Sequence, residues 1–169
     1  MKKRHFPKRF FISLISMSLL FAVAGFWFAA NSKSISLDDL KKLSENHALV
    51  VAYYDGTVKT YDDNGIKPLF KHLENGNFKD SYVFDKVTGK ASSFILVYGG
   101  ASNLYTGVLS KEAIPVLEKY GVKYSADKIV DYILNVKGDG KCPMEKSVEE
   151  IGIDSPQEAY KILQEKFGK

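Results

Sequence analysis

The sequence predicts an α/β domain with a mixed β-sheet flanked by helices on both faces, preceded by an N-terminal apolar helix. Three observations predict this fold class. Residues 10–30 form an uninterrupted apolar stretch, residues 48–61 have the pattern of a β-hairpin, and the remainder alternates strand patterns with helix patterns. We therefore divide the chain into a leader, residues 1–32, and a single domain, residues 33–169.

The leader has the composition of an export signal or a membrane anchor. Its first nine residues contain five Lys or Arg and no acid, and the 21 residues from Phe10 to Ala30 carry no charge. Roughly 20 apolar residues can span a bilayer, whereas small residues up to Ser32 fit a signal-peptidase site. Cleavage and retention both stay open. Because basic flanks remain in the cytoplasm, the domain is expected outside it, secreted or anchored through residues 10–30.

A helix and a β-hairpin are predicted at the start of the domain. Ser36 is a helix-capping residue type, and Asp38 and Asp39 follow in the first turn, where the helix dipole favours acids. The β-rich runs 48–54 and 57–61 are separated by an Asp-Gly pair, the strongest short-range hairpin signal.

The sequence pattern in the middle of the domain, residues 66–110, predicts helices between strands. Residues 66–76 indicate a short helix, with proline near its first turn and glycine beyond its end. Residues 81–85 indicate a strand that ends at Asp85. Residues 86–100 place small residues before large apolar ones, which favours a buried helix. Residues 103–110 indicate another strand.

Helices dominate the predicted C-terminal part. Ser110 is expected to cap one helix, and a short strand at 122–124 is expected to lead into another that Ser125 caps. That second helix would direct four apolar residues inward: Ile129, Val130, Ile133 and Leu134. Pro143 predicts a helix start. Residues 155–158, SPQE, combine a serine cap, proline at the first helical position and glutamate three residues after the cap.

The charge balance argues against nucleic-acid binding. The chain has 24 basic and 20 acidic residues, but five of the basic ones lie in the leader. The domain then keeps 19 basic and 20 acidic residues, a net charge of about −1, without the basic surplus expected of a nucleic-acid binder.

The first candidate site surrounds Asp85. Sites in α/β domains form beyond the carboxyl ends of strands, where the next helix begins. Asp85 lies at such a position, and Lys86 and Lys90 follow four residues apart. The alternative is that Asp85 only caps the helix and both lysines point into water.

The second candidate site contains the only cysteine, Cys142, so no internal disulfide is available. Because Pro143 suits the first helical position, Cys142 is a plausible N-cap. The helix dipole and neighbouring lysines are expected to favour its thiolate and lower its pKa. Gly138 and Gly140 would let backbone amides approach a ligand. The alternative is a capping box in which Glu145 reaches back to the Cys142 amide.

The remaining histidines of the domain do not extend either site. His47 and His72 lack an acid or cysteine at metal-ligand spacing and are predicted at the surface or its boundary.

Three segments carry a resemblance to a known family: DKVTGKAS, LVYGGASNLYTGVLS and GDGKCPMEKSVEEI, with SPQEAYKIL at the end. From about residue 38 to 167 the chain resembles an uncharacterised prokaryotic family, domain of unknown function 1893. That family is similar in fold to the cytidine deaminases, so the resemblance implies a three-layer sandwich and two helix N-termini converging on one pocket.

The resemblance does not carry the zinc chemistry of deaminases. Their P-C-x-x-C motif becomes Cys142-x-x-Glu145, and Asp85-Lys86 would stand for their His/Cys-x-Glu motif. One thiolate and two carboxylates do not suit zinc, so no metal or other cofactor is predicted.

The sequence thus predicts a zinc-free small-molecule site. Cys142 would be the nucleophile or thiolate contact, and Glu145 or Asp85 the proton acceptor. Lys86 and Lys90, with the amides around Gly138 and Gly140, would hold an anionic group. The alternative is a non-catalytic binding or sensing module on the same fold. The sequence identifies neither substrate nor reaction nor oligomeric state.

Overall fold

The computed structural model describes residues 37–168. The helices are α1 (Leu37–Ser44), α2 (Lys67–Glu74), α3 (Lys90–Tyr98), α4 (Ile114–Lys119), α5 (Pro143–Ser147) and α6 (Pro156–Phe167). The strands are β1 (Leu49–Tyr53), β2 (Val58–Tyr61), β3 (Ser81–Thr88), β4 (Asn103–Ser110) and β5 (Lys123–Val130).

These strands form one mixed sheet in the order β2-β1-β3-β4-β5. Strand β1 runs antiparallel to both β2 and β3, whereas β3, β4 and β5 are mutually parallel. Strands β1 and β2 form the predicted hairpin, whose Gly56 has a φ of 91° in the turn. The prediction of a mixed α/β sheet is confirmed.

Alternating residues of β1 contribute to two different cores. Leu49 and Val51 pack with apolar residues of α2, α3, α4 and α6 on one face. Val50 and Ala52 pack with Leu40 of α1 on the other face. Because successive strand residues point to opposite faces, helices flank the sheet on both sides, as predicted.

Strand β3 is longer than predicted. It continues through Thr88, so Asp85 lies within the sheet, opposite Leu49 of β1 and Thr106 of β4. The predicted helix over 86–100 begins only at α3, with Gly89 as its N-cap. Pairing with β4, which continues to Thr88, outweighs the local preference of residues 86–88, so Asp85 neither ends the strand nor caps the helix.

Residues 123–130 form the edge strand β5, which corrects the predicted helix after Ser125. The strand pairs with β4 from Lys123 to Val130. Two of the four predicted inward positions are wrong as well, because Ile129 and Leu134 are more than half exposed, whereas Val130 and Ile133 are partly buried. An edge strand does not need a continuous apolar face, and this weakened the strand signal.

His72 also differs from its predicted place at the surface or its boundary. Its side chain is fully buried beneath the hairpin, where it contacts the hydroxyl groups of Tyr53 and Tyr61.

The predicted leader and its apolar helix lie outside the described residues. Within residues 37–168 no helix has both the length and the apolarity required to cross a bilayer.

Candidate functional site

A cavity of about 680 Å³ lies where three parts of the domain meet. Its walls come from residues 45–48 and 62–66 around the hairpin, residues 85–87, 89, 91 and 92 at the β3–α3 junction, and residues 133–136 and 142–145, with Phe167 of α6. Asp85, Lys86, Cys142 and Glu145 all line it. The structure therefore brings together two predicted segments that are more than fifty positions apart.

A second depression, of about 570 Å³, is more open and lies between the end of α3 and the start of α6. It contains none of the predicted site residues. We therefore assign the candidate site to the first cavity.

Asp85 lies in the wall of the cavity with only 7% of its surface exposed. The Thr88 hydroxyl donates to its Oδ2 at 2.8 Å. Burial is the largest influence on this carboxyl and raises its pKa to about 7, against the smaller opposing effect of hydrogen bonds from Thr88 and the Val87 amide. Asp85 can therefore exchange a proton near neutral pH.

Glu145 is even more buried, at 2% exposure, in the third position of α5. The Ala91 amide in the first turn of α3 donates to its Oε1 at 3.4 Å. Gly89 makes this approach possible, because a Cβ on that residue would lie 1.9 Å from Oε1. Glu145 therefore contacts the start of α3 instead of completing the predicted capping box at Cys142.

The second carboxylate oxygen of Glu145 has no hydrogen-bond partner among the described residues. Burial is the main cause that raises the Glu145 pKa, and the nearby Glu112 carboxyl raises it further. Two carboxylates cannot hydrogen bond to each other unless one of them carries a proton. Lys141 pairs with both Glu112 and Glu149, with its Nζ 2.7 Å from Oε1 of each.

Cys142 is the residue before α5, as predicted, and is 8% exposed. Its side chain makes no capping hydrogen bond. Its amide donates to the Ile133 carbonyl at 2.8 Å, so this amide is not available to Glu145. The thiol is thus placed in the cavity wall by backbone pairing between residues 133 and 142.

The predicted anion-binding groups are dispersed. Lys86 lines the cavity, but the Lys90 Nζ donates to the Glu149 carbonyl at 2.7 Å and does not line it. Gly138 and Gly140 lie in the turn between residues 133 and 142, also outside the lining. Gly138 supplies a φ of 74° in this turn.

The segment 133–142 is hereafter called the flap. Gly138, Gly140 and Cys142 were predicted as site residues, but residues 133–136, which line the cavity, were missed. It folds back on itself through the 133–142 pairing and a hydrogen bond from the Asn135 amide to the Gly140 carbonyl. Leu134 and Val136 line the cavity although both are largely exposed. The helix predicted after Ser125 included Ile133 and Leu134, so this part of the flap was not recognised. The glycines at 138 and 140 were the sequence signal for the turn.

His47 was also missed. It lines the cavity, and its Nδ1 lies 2.6 Å from Asp62 Oδ1 across the hairpin. The pairing near the open end of the hairpin brings these two residues, 15 positions apart, together, and His47 lies at the boundary of the surface as predicted. Within residues 37–168, no three His, Cys, Asp or Glu side chains are grouped so that they could hold a metal ion.

The chain belongs to the family described as TM1506, domain of unknown function (DUF1893), which it matches over residues 39–167. Among solved structures it is similar to the crystal structure of a DUF1893 family protein (TM1506) from Thermotoga maritima at 2.70 Å resolution. The sequences are 27% identical, the TM-score is 0.69, and the match covers 81% of this chain and 95% of the other. No curated protein matches.

Proposed function

We propose that this member of the DUF1893 family carries a zinc-free small-molecule site in the cavity beside the flap. The observation that supports it best is chemical: two buried carboxyls, Asp85 and Glu145, share one cavity with the only thiol, Cys142. Buried ionisable groups with shifted pKa values in a cleft are typical of functional sites.

Asp85 is the proposed acid–base group. Its pKa of about 7 makes both protonation states available at neutral pH. A general acid or base works best when its pKa is close to the working pH. Glu145 is the second carboxyl, held in place by the Ala91 amide.

Cys142 is the proposed nucleophile. The Asp85 carboxylate would accept the thiol proton while the sulfur forms a bond to an electrophilic carbon of the ligand. The leaving group would then take that proton from Asp85 as its bond to carbon breaks. Water would then attack the same carbon and give one proton to Asp85; as the carbon–sulfur bond breaks, Asp85 would pass this proton to the sulfur, which restores the thiol and releases the product.

The finer fold and the location of the protein are part of the same proposal. The resemblance implies a cytidine-deaminase-like sandwich in which two helix starts converge. Gly89 and Ala91 at the start of α3, and Cys142 and Glu145 at the start of α5, line one cavity and support that arrangement. We further propose that residues 10–30 direct export or anchor the chain, which would place the domain outside the cytoplasm.

A non-catalytic binding or sensing module is the second candidate. It is favoured by the low exposure of Cys142, whose backbone is fixed by Ile133. In that case the carboxyls would only recognise a ligand, and the thiol would be an apolar part of the wall.

The rate of Cys142 alkylation by iodoacetamide between pH 5 and 9 distinguishes the catalytic site from the non-catalytic module. Catalysis predicts reaction in the folded protein with an inflection near pH 7, because Asp85 ionises there. Asp85→Asn should remove that inflection. Asp63→Asn should keep it, since Asp63 lines the cavity but is paired with Lys71.

The catalytic proposal is contradicted if folded Cys142 does not react. It is equally contradicted if both the parent and Asp85→Asn follow a single ionisation near about 8.5, the value of an ordinary thiol.

A further inference from the structure

The unpartnered oxygen of Glu145 indicates what a ligand must supply. Oε2 is buried and makes no hydrogen bond within the described residues. The nearby Glu112 carboxyl can satisfy it only by sharing a proton with Glu145. Leaving such an acceptor unsatisfied is costly, and native structures rarely do so without a water, ion or ligand. A ligand that donates a hydrogen bond at this point would remove the cost.

The groups around Glu145 cannot neutralise it. Glu112, from the turn after β4, is another acid, and Lys141 of the flap is already engaged by Glu112 and Glu149. Asp85 and Lys86 approach the cavity from β3. Lys86 is solvent-exposed and forms no ion pair within the described part of the chain.

The charge balance of the lining favours a positive ligand. Five carboxyl side chains line the cavity: Glu45, Asp62, Asp63, Asp85 and Glu145. Two of them are paired, Asp62 with His47 and Asp63 with Lys71. In residues 37–168 no cation pairs with the other three. An incoming cation would therefore meet more acceptors than competitors.

The opposite side of the cavity is apolar. Leu134 is 52% exposed and Val136 fully exposed at the mouth, and Met144 and Phe167 also line the wall. Apolar side chains that are exposed at the rim of a polar pocket are typical of ligand contacts. The absence of three grouped metal ligands in the described residues argues for an organic cation over a metal ion.

We infer that the cavity binds a small amphipathic amine, whose ammonium group donates to Glu145 Oε2 beside Asp85 while its apolar part lies against Leu134 and Val136 of the flap. This inference rests on the proposed function, because it takes this cavity as the ligand site. It replaces the anionic ligand expected from the sequence, since of the groups named for an anion only Lys86 lines the cavity.

Binding of this kind has a thermodynamic signature besides affinity. Asp85 and Glu145 hold protons more tightly than ordinary carboxyls, because both are buried. An ammonium group favours their charged forms, so its binding near pH 7 should release protons to the buffer.

The test uses three probes that share one tail: n-hexylammonium, hexanol and hexanoate. Each is titrated into the full chain at pH 7, with amide NMR shifts and calorimetry in two buffers of different ionisation enthalpy. Hexylammonium should bind at least about tenfold more tightly than hexanoate, shift the amides of Ala91 and Leu134, and release protons.

Variants separate the parts of the inference. Glu145→Gln, which keeps the shape of the side chain, should weaken hexylammonium at least about tenfold and leave hexanol almost unchanged. Asp131→Asn is the matched control, because Asp131 pairs with Lys111 and lies outside the lining of the cavity; it should change hexylammonium binding less than about threefold. Ethylammonium, which lacks most of the tail, should bind more weakly than hexylammonium.

Two results would overturn the inference in different ways. If hexanoate or hexanol binds in the cavity as tightly as hexylammonium, the ligand class is wrong and the site remains. If none of the three probes shifts cavity amides at millimolar concentration, the proposed small-molecule site is contradicted too.

Discussion

Two buried polar side chains of this domain, His72 and Glu145, are satisfied to different degrees. Every polar atom of His72 has a partner: Nε2 donates to the Asn77 carbonyl at 2.8 Å, and Nδ1 lies 3.1 Å from the Tyr61 hydroxyl. Its ring stacks on Phe78 at 4.5 Å. Glu145 is equally buried, but Oε2 has no partner among the described residues.

The difference supports a structural role for His72 and the ligand-binding role proposed for Glu145. Burial is the main cause that lowers the His72 pKa, so the ring is kept neutral, and a neutral ring can both donate and accept as it does here. His72 lines neither of the two cavities described above. Glu145 lines a large one. An acceptor left open in a cavity wall is available to a ligand, whereas a saturated one only stabilises the fold.

The largest effect is expected from Gly89→Ala. The added methyl group would overlap Glu145, with its Cβ 1.9 Å from Oε1 and 2.6 Å from Cδ. Either the carboxyl or the start of α3 must move, which should cost about 3 kcal/mol of the free energy of unfolding in urea. Gly152→Ala is the control, because nothing lies within 4 Å of that position, and it should stay within about 0.5 kcal/mol.

The double variant with Glu145→Ala tests the cause. If the methyl group acts through Glu145, the cost of Gly89→Ala should shrink when the carboxyl is absent. A Gly89→Ala protein as stable as the parent would mean that Glu145 is not held against α3.

Smaller and unequal effects are expected when each buried polar group is replaced by a close isostere. His72→Phe leaves the Tyr61 hydroxyl without its acceptor Nδ1 and removes the Nε2 donor to the Asn77 carbonyl. It should cost about 2 kcal/mol of unfolding free energy. Glu145→Gln breaks no hydrogen bond to Oε2, because Oε2 has no partner among the described residues, and should cost about 0.5 kcal/mol or less of unfolding free energy. Equal costs in urea denaturation at pH 7 would erase the distinction between the two groups.

Local sequence signals predicted those parts of the fold that local residue preferences determine, namely the hairpin turn and the helix starts. The Asp-Gly pair fixes the hairpin, and Pro143 and Pro156 mark the starts of α5 and α6. The start of β5 was predicted as a short strand at 122–124, but the rest of β5 and the end of β3 were missed, because pairing with β4 decides both. That pairing overrides the helix signals carried by Ser125 and by residues 86–88.

The site was predictable in its residue types but not in its contacts. Asp85, Cys142 and Glu145 were named from their positions near helix starts, and they do line one cavity. The contact between Glu145 and the start of α3 joins residues 54 positions apart, and no local pattern encodes it. The role of Gly89 follows only from that contact. His72 was misjudged because its partners come from strands and a loop that the hairpin assembles.

The raised pKa of Asp85 also links the cavity to stability. In the folded state Asp85 keeps its proton up to about pH 7, whereas in the unfolded chain it loses the proton near 3.8. Between these values the folded state binds more protons, so its contribution to stability is greatest below the lower value and falls as the pH rises through the window. Above pH 7 the cost of the buried charge is fully present.

The most direct test of the central claim is a ¹³C NMR titration of the Asp85 carboxyl carbon in the full chain, with Asp85→Asn used to assign the signal. We expect a midpoint near pH 7, moved to lower pH by saturating hexylammonium. A midpoint near about 4, the ordinary value for aspartate, would show that the carboxyl is solvated and ionised at neutral pH. The cavity would then lack the acid–base group on which the proposed function depends.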